Sequence, residues 1–307
     1  MHAAKHLCDS RSTRQVELAV RKSPDSIDQI ARGEAGYPSR LLQLSDAPVA
    51  VWVRGRVPDE GGRAVAVVGA RAASGIGCAL ARGLATELAS KGIAVISGGA
   101  FGIDAAAHEG ALAAAAAPTF AVFGCGVDVT YPDRHGPLFA RIAAAGGLLS
   151  EYAPGTPPRA GQFPARNRII AALADATIVV EAAHRSGALI TARLARGLGK
   201  PVLAVRGSPG TERLLQQGQA LAVSAATDVE EALAGRRPAP SDEVEPPSGA
   251  IGTLVATLRE GASTPAGLSK KTGLPLPAVM AALAEAELDG WVCRIPGNQY
   301  EVIRRGC

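Results

Sequence analysis

Five short runs of apolar, mostly β-branched residues recur between residues 64 and 235, and this recurrence constrains the fold most. The runs cover residues 64–68, 93–96, 119–123, 177–180 and 202–205. Helical patterns separate or follow them at residues 77–90, 104–116, 136–145, 167–174 and 189–197. Because fully apolar strands that alternate with helices are typical of a sheet covered on both faces, the pattern predicts an α/β fold. We expect a Rossmann-like, doubly wound and mostly parallel sheet, whose ligands bind at the carboxyl ends of the strands.

The rest of the chain divides around this block. Residues 1–36 contain one weak helical stretch, at 16–21, and we expect a partly ordered N-terminal tail there. Residues 37–235 form the Rossmann-like domain, and the proline-rich residues 236–249 are typical of a linker. Residues 250–305 show three short helical patterns followed by a hairpin, which indicates a winged helix-turn-helix. Such a module binds DNA or another protein, and its sequence leaves both open.

Composition excludes several classes of protein. The five cysteines have no C-x-x-C spacing, which argues against a zinc ribbon, a redox motif or a disulfide framework. No apolar run approaches the ~18 residues of a membrane span, and residues 1–14 lack an apolar signal core. We therefore expect a cytoplasmic protein without membrane contact, metal or cofactor. The net charge of +4 is too small to indicate a nucleic-acid binder by itself.

Glycine-containing loops follow three of the predicted strands. Loops of this kind leave backbone N–H groups free at a helix start, where an anion binds. The candidate anion-binding residues in them are Arg71, Ser74, Gly75, Ser97, Gly98, Gly99, Gly102, Ser186, Gly187 and Thr191. No P-loop occurs, and no acidic residue follows the second strand to hold a nicotinamide ribose. The loops therefore predict a polyanion site at one sheet edge.

One acidic residue and one histidine accompany the second loop. Asp104 is placed to cap the helix that follows, and His108 lies four residues further on, on the same helix face. We interpret His108 as a packing histidine bonded to Asp104. A general base is the alternative, but the sequence offers no nucleophile partner. No catalytic residue is therefore predicted.

Two long windows, residues 152–174 and 182–211, contain several arginines and no acidic residue. The first window includes Phe163 together with Arg166, Asn167 and Arg168. Arginines beside an aromatic ring suit single-stranded nucleic acid, because the charge meets the backbone and the ring stacks on a base. The alternative is a helix start with Phe163 in the core and the arginines in salt bridges. Residue types alone favour neither.

Taken together, these motifs closely resemble the DNA-processing protein DprA (Smf) family over residues 37–228. The resemblance is carried by Tyr37-Pro38, Val68-Gly69-Ala70-Arg71, Ser97-Gly98-Gly99-Ala100, Gly102-Ile103-Asp104, His108, Gly124-Cys125-Gly126, Tyr131-Pro132, Ser150-Glu151, Phe163-Pro164, Arg166-Asn167-Arg168-Ile169-Ile170, Ser186-Gly187 and Thr191. It implies a homodimer without catalysis. Such a protein binds and protects single-stranded DNA in natural transformation and loads the RecA recombinase onto it.

The resemblance also assigns roles to residues. It implies that Arg71, Phe163 and residues 166–168 contact the single strand, and that the loops at 97–102 and 186–187 line the same groove. The segment 206–220 departs from the family pattern, at a place relevant to dimer or RecA contacts.

Two other classes of protein share this type of fold. One is a nucleotide phosphoribohydrolase-like enzyme, and the other is a nucleotide-sensing protein. The hydrolase would need a Pro-Gly-Gly-x-Gly-Thr-x-x-Glu motif at a later strand end, where residues 186–191 here read Ser-Gly-Ala-Leu-Ile-Thr. The sequence therefore favours the DNA-binding mediator over the enzyme.

Overall fold

The computed structural model describes residues 26–236, 249–288, 291–295 and 297–302. The helical stretch expected at 16–21 and most of the expected linker lie outside these ranges. The strands are β1 (Ile27–Ala31), β2 (Ala50–Gly55), β3 (Ala64–Val68), β4 (Ala94–Ser97), β5 (Thr119–Val122), β6 (Gly147–Ser150), β7 (Ala176–Val179), β8 (Val202–Ala204), β9 (Leu221–Ala222), β10 (Val292–Ile295) and β11 (Gln299–Val302).

Ten α-helices accompany these strands within the described residues. They are α1 (Gly75–Ser90), α2 (Ile103–Ala114), α3 (Gly136–Ala145), α4 (Gln162–Leu173), α5 (Ala188–Gly197), α6 (Pro209–Gln216), α7 (Ala226–Leu233), α8 (Ala250–Arg259), α9 (Pro265–Thr272) and α10 (Leu276–Leu288). Two short 3-10 helices lie at Ser39–Gln43 and Asp133–His135. No helix in the described ranges is long and apolar enough to cross a membrane.

Strands β1 to β9 form one sheet in the order β1-β2-β6-β5-β4-β3-β7-β8-β9. The seven strands from β6 to β9 pair in parallel, whereas β1 and β2 add an antiparallel edge. The order reverses at β3, so the chain winds outward from the centre in both directions. The predicted Rossmann-like, doubly wound and mostly parallel sheet is confirmed.

Successive residues of β3 show how the sheet is covered. Val65 and Val67 face α1, α2 and α7, whereas Ala66 and Val68 face α4 and α5. All five residues of β3 are buried because both faces carry helices. The carboxyl ends of β3, β4 and β7 consequently open onto one edge between the helix layers.

The antiparallel edge begins earlier in the chain than the sequence indicated. Residues 27–31, which the sequence assigned to the tail, form β1 and pair with β2 from Ile27–Arg54 to Ala31–Ala50. Strand β2 in turn pairs with β6. The sheet therefore includes residues that precede the expected domain boundary at 37.

The C-terminal part contains the three helices and the hairpin of a winged helix. Helices α8, α9 and α10 pack with the β10–β11 hairpin around an apolar core that includes Leu254, Leu258, Leu268, Leu283 and Tyr300. The Thr264 side chain accepts a hydrogen bond from the Gly267 N–H at 3.1 Å, and α9 ends at Gly273 with φ +72°. The predicted cap and stop of this helix are confirmed.

Candidate nucleic-acid interface

A cleft of about 460 Å³ opens at the carboxyl edge of the parallel strands. It is formed by residues after β3, β4 and β7 and by the first turns of α4 and α5. Eight of the predicted site residues line it: Arg71, Asp104, Phe163, Arg166, Asn167, Ser186, Gly187 and Thr191. The others lie outside its lining: Ser74, Gly75, Ser97, Gly98, Gly99, Gly102, His108 and Arg168.

A cation and two aromatic rings form the rim of the cleft. The Arg71 guanidinium carbon lies 5.0 Å from the centroid of the Phe163 ring, which is a cation–π contact. The Phe163 and Tyr131 rings are 5.3 Å apart and inclined by 34°. Tyr131 is 41% exposed, and Arg71 is exposed as well. The sequence analysis singled out the Tyr131-Pro132 pair as a motif but did not place Tyr131 in the site.

Arg166 lies at the floor of the cleft and is only 4% exposed. It donates hydrogen bonds to the Gly98 and Val122 carbonyl groups. Burial lowers the pKa of Arg166 to about 10, and the nearby Asp104 carboxylate opposes that shift. Arg166 therefore remains a cation at neutral pH, and its contacts are to backbone carbonyl groups.

Asp104 orders the glycine loop that precedes α2. One of its carboxylate oxygens accepts from the Gly98 N–H at 3.1 Å and from the Ala100 N–H at 3.3 Å. Burial raises the pKa of Asp104, whereas Arg166 and these N–H groups act against that rise. The N-cap of α2 is Gly102, so Asp104 stabilises the loop and not the predicted cap position.

Arg168 lies in the same helix but contacts carboxylates. Its guanidinium donates to both Glu151 oxygens at 2.9 and 2.8 Å, and to Asp46 at 2.7 Å. A guanidinium in a bidentate ion pair has few donors left for a phosphate. The salt-bridge alternative left open by the sequence therefore describes Arg168.

The N-terminus of α1 contacts a carboxylate of the same chain. The Ser74 N–H lies 3.1 Å from both Glu181 oxygens, and the Ser74 hydroxyl donates to Glu181 at 2.6 Å. Ser74 also caps α1 by accepting from the Gly77 N–H at 2.9 Å. The anion predicted at this helix start is thus supplied by Glu181. Gly75 is exposed and has open space around its Cα.

The glycines after β4 allow close packing between loops. A Cβ on Gly98 would lie 2.5 Å from the Arg166 guanidinium, so only glycine leaves room for that side chain. Gly102 has φ +74° and lies against the backbone carbonyls of Ala70 and Arg71. The Ser97 hydroxyl is fully buried and donates to the Val67 carbonyl at 2.7 Å. This loop therefore supports the cleft from behind.

His108 contacts a partner other than the one expected from the sequence. Its Nδ1 lies 2.8 Å from the Thr119 hydroxyl, which itself donates to the Val95 carbonyl at 2.9 Å. Because the hydroxyl proton is used there, His108 Nδ1 carries the proton and donates. Complete burial lowers the pKa of His108 to about 3, so the ring is neutral. Its role is packing, as predicted, but its partner is Thr119 and not Asp104.

Residues at the start of α5 close the other side of the cleft. The Asn167 amide donates to the Gly187 carbonyl at 3.2 Å, and the Ser186 hydroxyl accepts from the Ala188 N–H at 3.3 Å. Thr191 is nearly fully buried and faces the cleft. Among the described residues, Arg71, Arg159 and Arg185 have no carboxylate within 4.0 Å, so their charges are not neutralised by an ion pair.

The described part of the chain brings no three His, Cys, Asp or Glu side chains together as metal ligands. The cleft instead offers a guanidinium, two aromatic rings, an amide and hydroxyl groups. These groups suit a ligand that has both anionic and flat aromatic parts.

Fold and cleft together define a class of protein: a Rossmann-like domain with a cationic, aromatic cleft, followed by a winged helix. The model of the DNA recombination-mediator protein A family matches residues 28–234, and that of the DprA winged helix domain matches residues 237–298. The chain belongs to the DNA recombination-mediator protein A family.

Relatives and solved structures agree with this assignment. Protein Smf of Escherichia coli is 36% identical over 286 residues, which cover 88% of this chain and 76% of that protein. The crystal structure of DprA from Streptococcus pneumoniae matches with a TM-score of 0.62 and 38% identity, covering 67% of this chain and 74% of that one. A structure of DprA from Helicobacter pylori, described for its single-stranded DNA binding mode, matches with a TM-score of 0.60 and 31% identity. The match covers 68% of this chain and 96% of that one.

Proposed function

We propose that this chain binds single-stranded DNA in the cleft at the carboxyl edge of its sheet. The observation that carries the proposal is the solvent-accessible stack of Arg71, Phe163 and Tyr131. An aromatic ring stacks on an unpaired base of any sequence, and an arginine beside it meets the phosphate. The Helicobacter pylori relative, described as binding single-stranded DNA, supports the same ligand here.

The site residues then divide by what they contact. We propose direct DNA contacts for the accessible groups that line the cleft: Arg71, Tyr131, Phe163, Asn167, Ser186 and Gly187. Gly75 is outside this lining, at a helix start where Glu181 already supplies the anion, and is not among them. The remaining residues support this surface because they are buried, half-buried or bound to another group of the chain: Ser74, Ser97, Gly98, Gly99, Gly102, Asp104, His108, Arg166, Arg168 and Thr191. This division replaces the expectation that residues 166–168 touch the strand as a unit.

Membership of the family supports a wider role, which we propose as follows. The chain acts as a recombination mediator without catalysis of its own: it protects the bound strand and loads RecA onto it in the cytoplasm, during natural transformation. We propose that it does so as a homodimer. Its DNA-binding domain begins near residue 27, because β1 belongs to the sheet, and ends near residue 235. We propose that a linker at 236–249 and a winged helix at 250–305 follow, as the sequence predicts.

The test is a titration of fluorescent oligo-dT with the full chain, followed by anisotropy. We expect the affinity to fall steeply with added salt, because phosphate contacts release counterions. Arg71→Ala should lower the slope of log K against log [salt] by about 0.7. Phe163→Ala should weaken binding by about 1–3 kcal/mol.

Arg196→Ala is the matched control, since Arg196 is exposed in the last turn of α5, at the far end from the cleft. If Arg71→Ala and Arg196→Ala lose the same affinity for oligo-dT, the strand is bound by the general positive charge of the protein and not by the cleft. Hydrolysis of AMP by the purified chain would favour the phosphoribohydrolase alternative.

A further inference from the structure

Phe101 is an exposed aromatic side chain beside the cleft, and the proposed DNA contacts do not include it. It is 44% exposed and belongs to the loop between β4 and α2. The preceding residue, Ala100, lines the cleft. Phe101 itself is outside the lining, but its Cα is only about 3.8 Å from that of Ala100, so its backbone is adjacent to the cleft.

A histidine fixes the position of this ring. The His135 and Phe101 ring centroids are 4.7 Å apart with an interplanar angle of 72°. His135 Nδ1 donates to the Gly99 carbonyl at 3.0 Å, and the same histidine ring meets the buried Phe139 ring at 5.7 Å. Phe101 is therefore anchored through His135 to the apolar core while much of its surface stays accessible.

The segment that carries His135 also carries Tyr131 of the cleft. Four residue steps separate the two, and an extended chain covers at most about 14 Å over that number. A stacked strand rises about 3.4 Å per nucleotide, so the Tyr131 and His135 Cα atoms are separated by at most about four nucleotides of strand. The Phe101 ring lies one ring contact beyond His135. Arg134, which lies between Tyr131 and His135 in sequence, is exposed and has no ion pair among the described residues.

The distribution of exposed rings argues against an accidental position. Single exposed apolar side chains are common on protein surfaces. Of the six large exposed hydrophobic side chains in the described residues, however, the two aromatic ones are Phe101 and Tyr131. Tyr131 lines the cleft and Phe101 follows the lining residue Ala100, in a chain with only 4% aromatic residues.

We propose that Phe101 is a second base-stacking position for the single strand, with Arg134 contacting a neighbouring phosphate. The ligand is an unpaired nucleobase a few nucleotides from the base at Phe163. This inference rests on the proposed function of the cleft and extends it: the strand continues from the cleft across the β4–α2 loop.

The test measures affinity as a function of oligonucleotide length. Oligo-dT of 4 to 20 nucleotides is titrated with the full-length wild type, Phe101→Ala and Phe163→Ala. We expect Phe101→Ala to match the wild type on the shortest oligonucleotides that bind, and to bind the long ones about fivefold or more weakly. Phe163→Ala should lose affinity at every length. Leu42→Ala is the control, because Leu42 is 57% exposed and lies two residues from Arg40. The Arg40 side chain donates hydrogen bonds to the Gly62 and Leu173 carbonyls, at the opposite sheet edge.

Phe101→Trp gives an independent readout that keeps an aromatic ring in place. Stacking of a base on the new indole should quench fluorescence beyond any change from the two native tryptophans. Equal affinity of Phe101→Ala and wild type at every length, or no added quenching in Phe101→Trp, would overturn this inference and leave the cleft intact. If the wild type binds no oligo-dT at all, the proposed function fails with it.

Discussion

Arg166 is a buried cation whose partners are backbone carbonyls, and its removal should affect stability before it affects DNA binding. Arg166→Ala would leave the Gly98 and Val122 carbonyls without a donor and Asp104 without its neighbouring cation. We expect a loss of about 3–5 kcal/mol in the free energy of unfolding, the range for breaking a buried charge interaction. Urea denaturation measures it.

The exposed Arg196→Ala serves as the reference and should stay within about 0.5 kcal/mol of wild type. If Arg166→Ala instead keeps full stability and loses only affinity for oligo-dT, Arg166 is a phosphate contact after all. The expectation drawn from the sequence would then hold.

His108 should make the folded state sensitive to acid. Burial lowers its pKa to about 3 in the folded chain, whereas a histidine in an unfolded chain has a pKa of about 6.5. Below pH 6.5 the unfolded chain therefore takes up a proton that the folded chain does not, so the stabilising contribution is present above pH 6.5 and is lost as pH falls toward 3. The expected loss is about 1.4 kcal/mol per pH unit in that window.

The measurement compares wild type with His108→Gln in urea at pH 7, 6 and 5. Carboxyl groups contribute equally to both proteins, so the difference between them isolates the histidine. If the free energy of unfolding changes with pH by the same amount in both proteins, His108 titrates normally in the folded state.

At the scale of elements, the contact between α1 and α2 depends on one glycine. A Cβ at Gly110 in α2 would collide with the Arg82 backbone of α1, whereas a Cβ at Gly83 in α1 would meet nothing within 4 Å. We expect Gly110→Ala to destabilise the chain by about 1–3 kcal/mol through overpacking. Gly83→Ala should instead stabilise it by up to about 1 kcal/mol, because alanine favours the helix. Thermal unfolding of both variants checks the pair, and a stabilising Gly110→Ala would contradict the close helix contact.

The strands that the sequence predicted are mostly those with an unbroken run of apolar residues. Strands such as β3 and β4 are fully buried, and their unbroken apolar runs identify them. Strand β1 has the sequence IDQIA and is only half-buried, and β9 has two residues, so neither shows a clear signal. Strand β6 follows α3 after one residue and has only four residues. Edge strands and short strands depend on their neighbours, which a sequence pattern does not contain.

The same limit applies to the site. Arg166 and Arg168 stand two residues apart in one acid-free window, yet one lies under the cleft and the other pairs with Glu151 and Asp46. Their partners come from distant parts of the chain, so the local window cannot reveal them. What the sequence did predict was the edge of the sheet, because every glycine loop follows a strand at its carboxyl end.

At the scale of the whole molecule, there are two candidate nucleic-acid-binding sites, the cleft and the winged helix, and they differ in charge and chemistry. The cleft presents Arg71 with two aromatic rings, which need an unpaired base. The third helix of the winged module, α10, contains no lysine or arginine and carries Glu285 and Glu287. In a winged helix that reads duplex DNA, this is the helix that enters the major groove. The module is therefore poorly suited to duplex DNA, and the chain as a whole should prefer single strands.

A competition experiment tests this preference. Labelled oligo-dT bound to the full chain is displaced with unlabelled single strands or with a duplex of the same length. We expect the duplex to compete at least about tenfold less well, because paired bases cannot stack on Phe163 or Tyr131 and stacking contributes about 1–3 kcal/mol per base. Lys270 and Lys271 form a basic pair in the last turn of α9 in the winged module. Replacing both with alanine should leave the single-strand affinity unchanged. A duplex that competes equally, and that loses its affinity in the double lysine variant, would instead make the winged helix a duplex reader through α9.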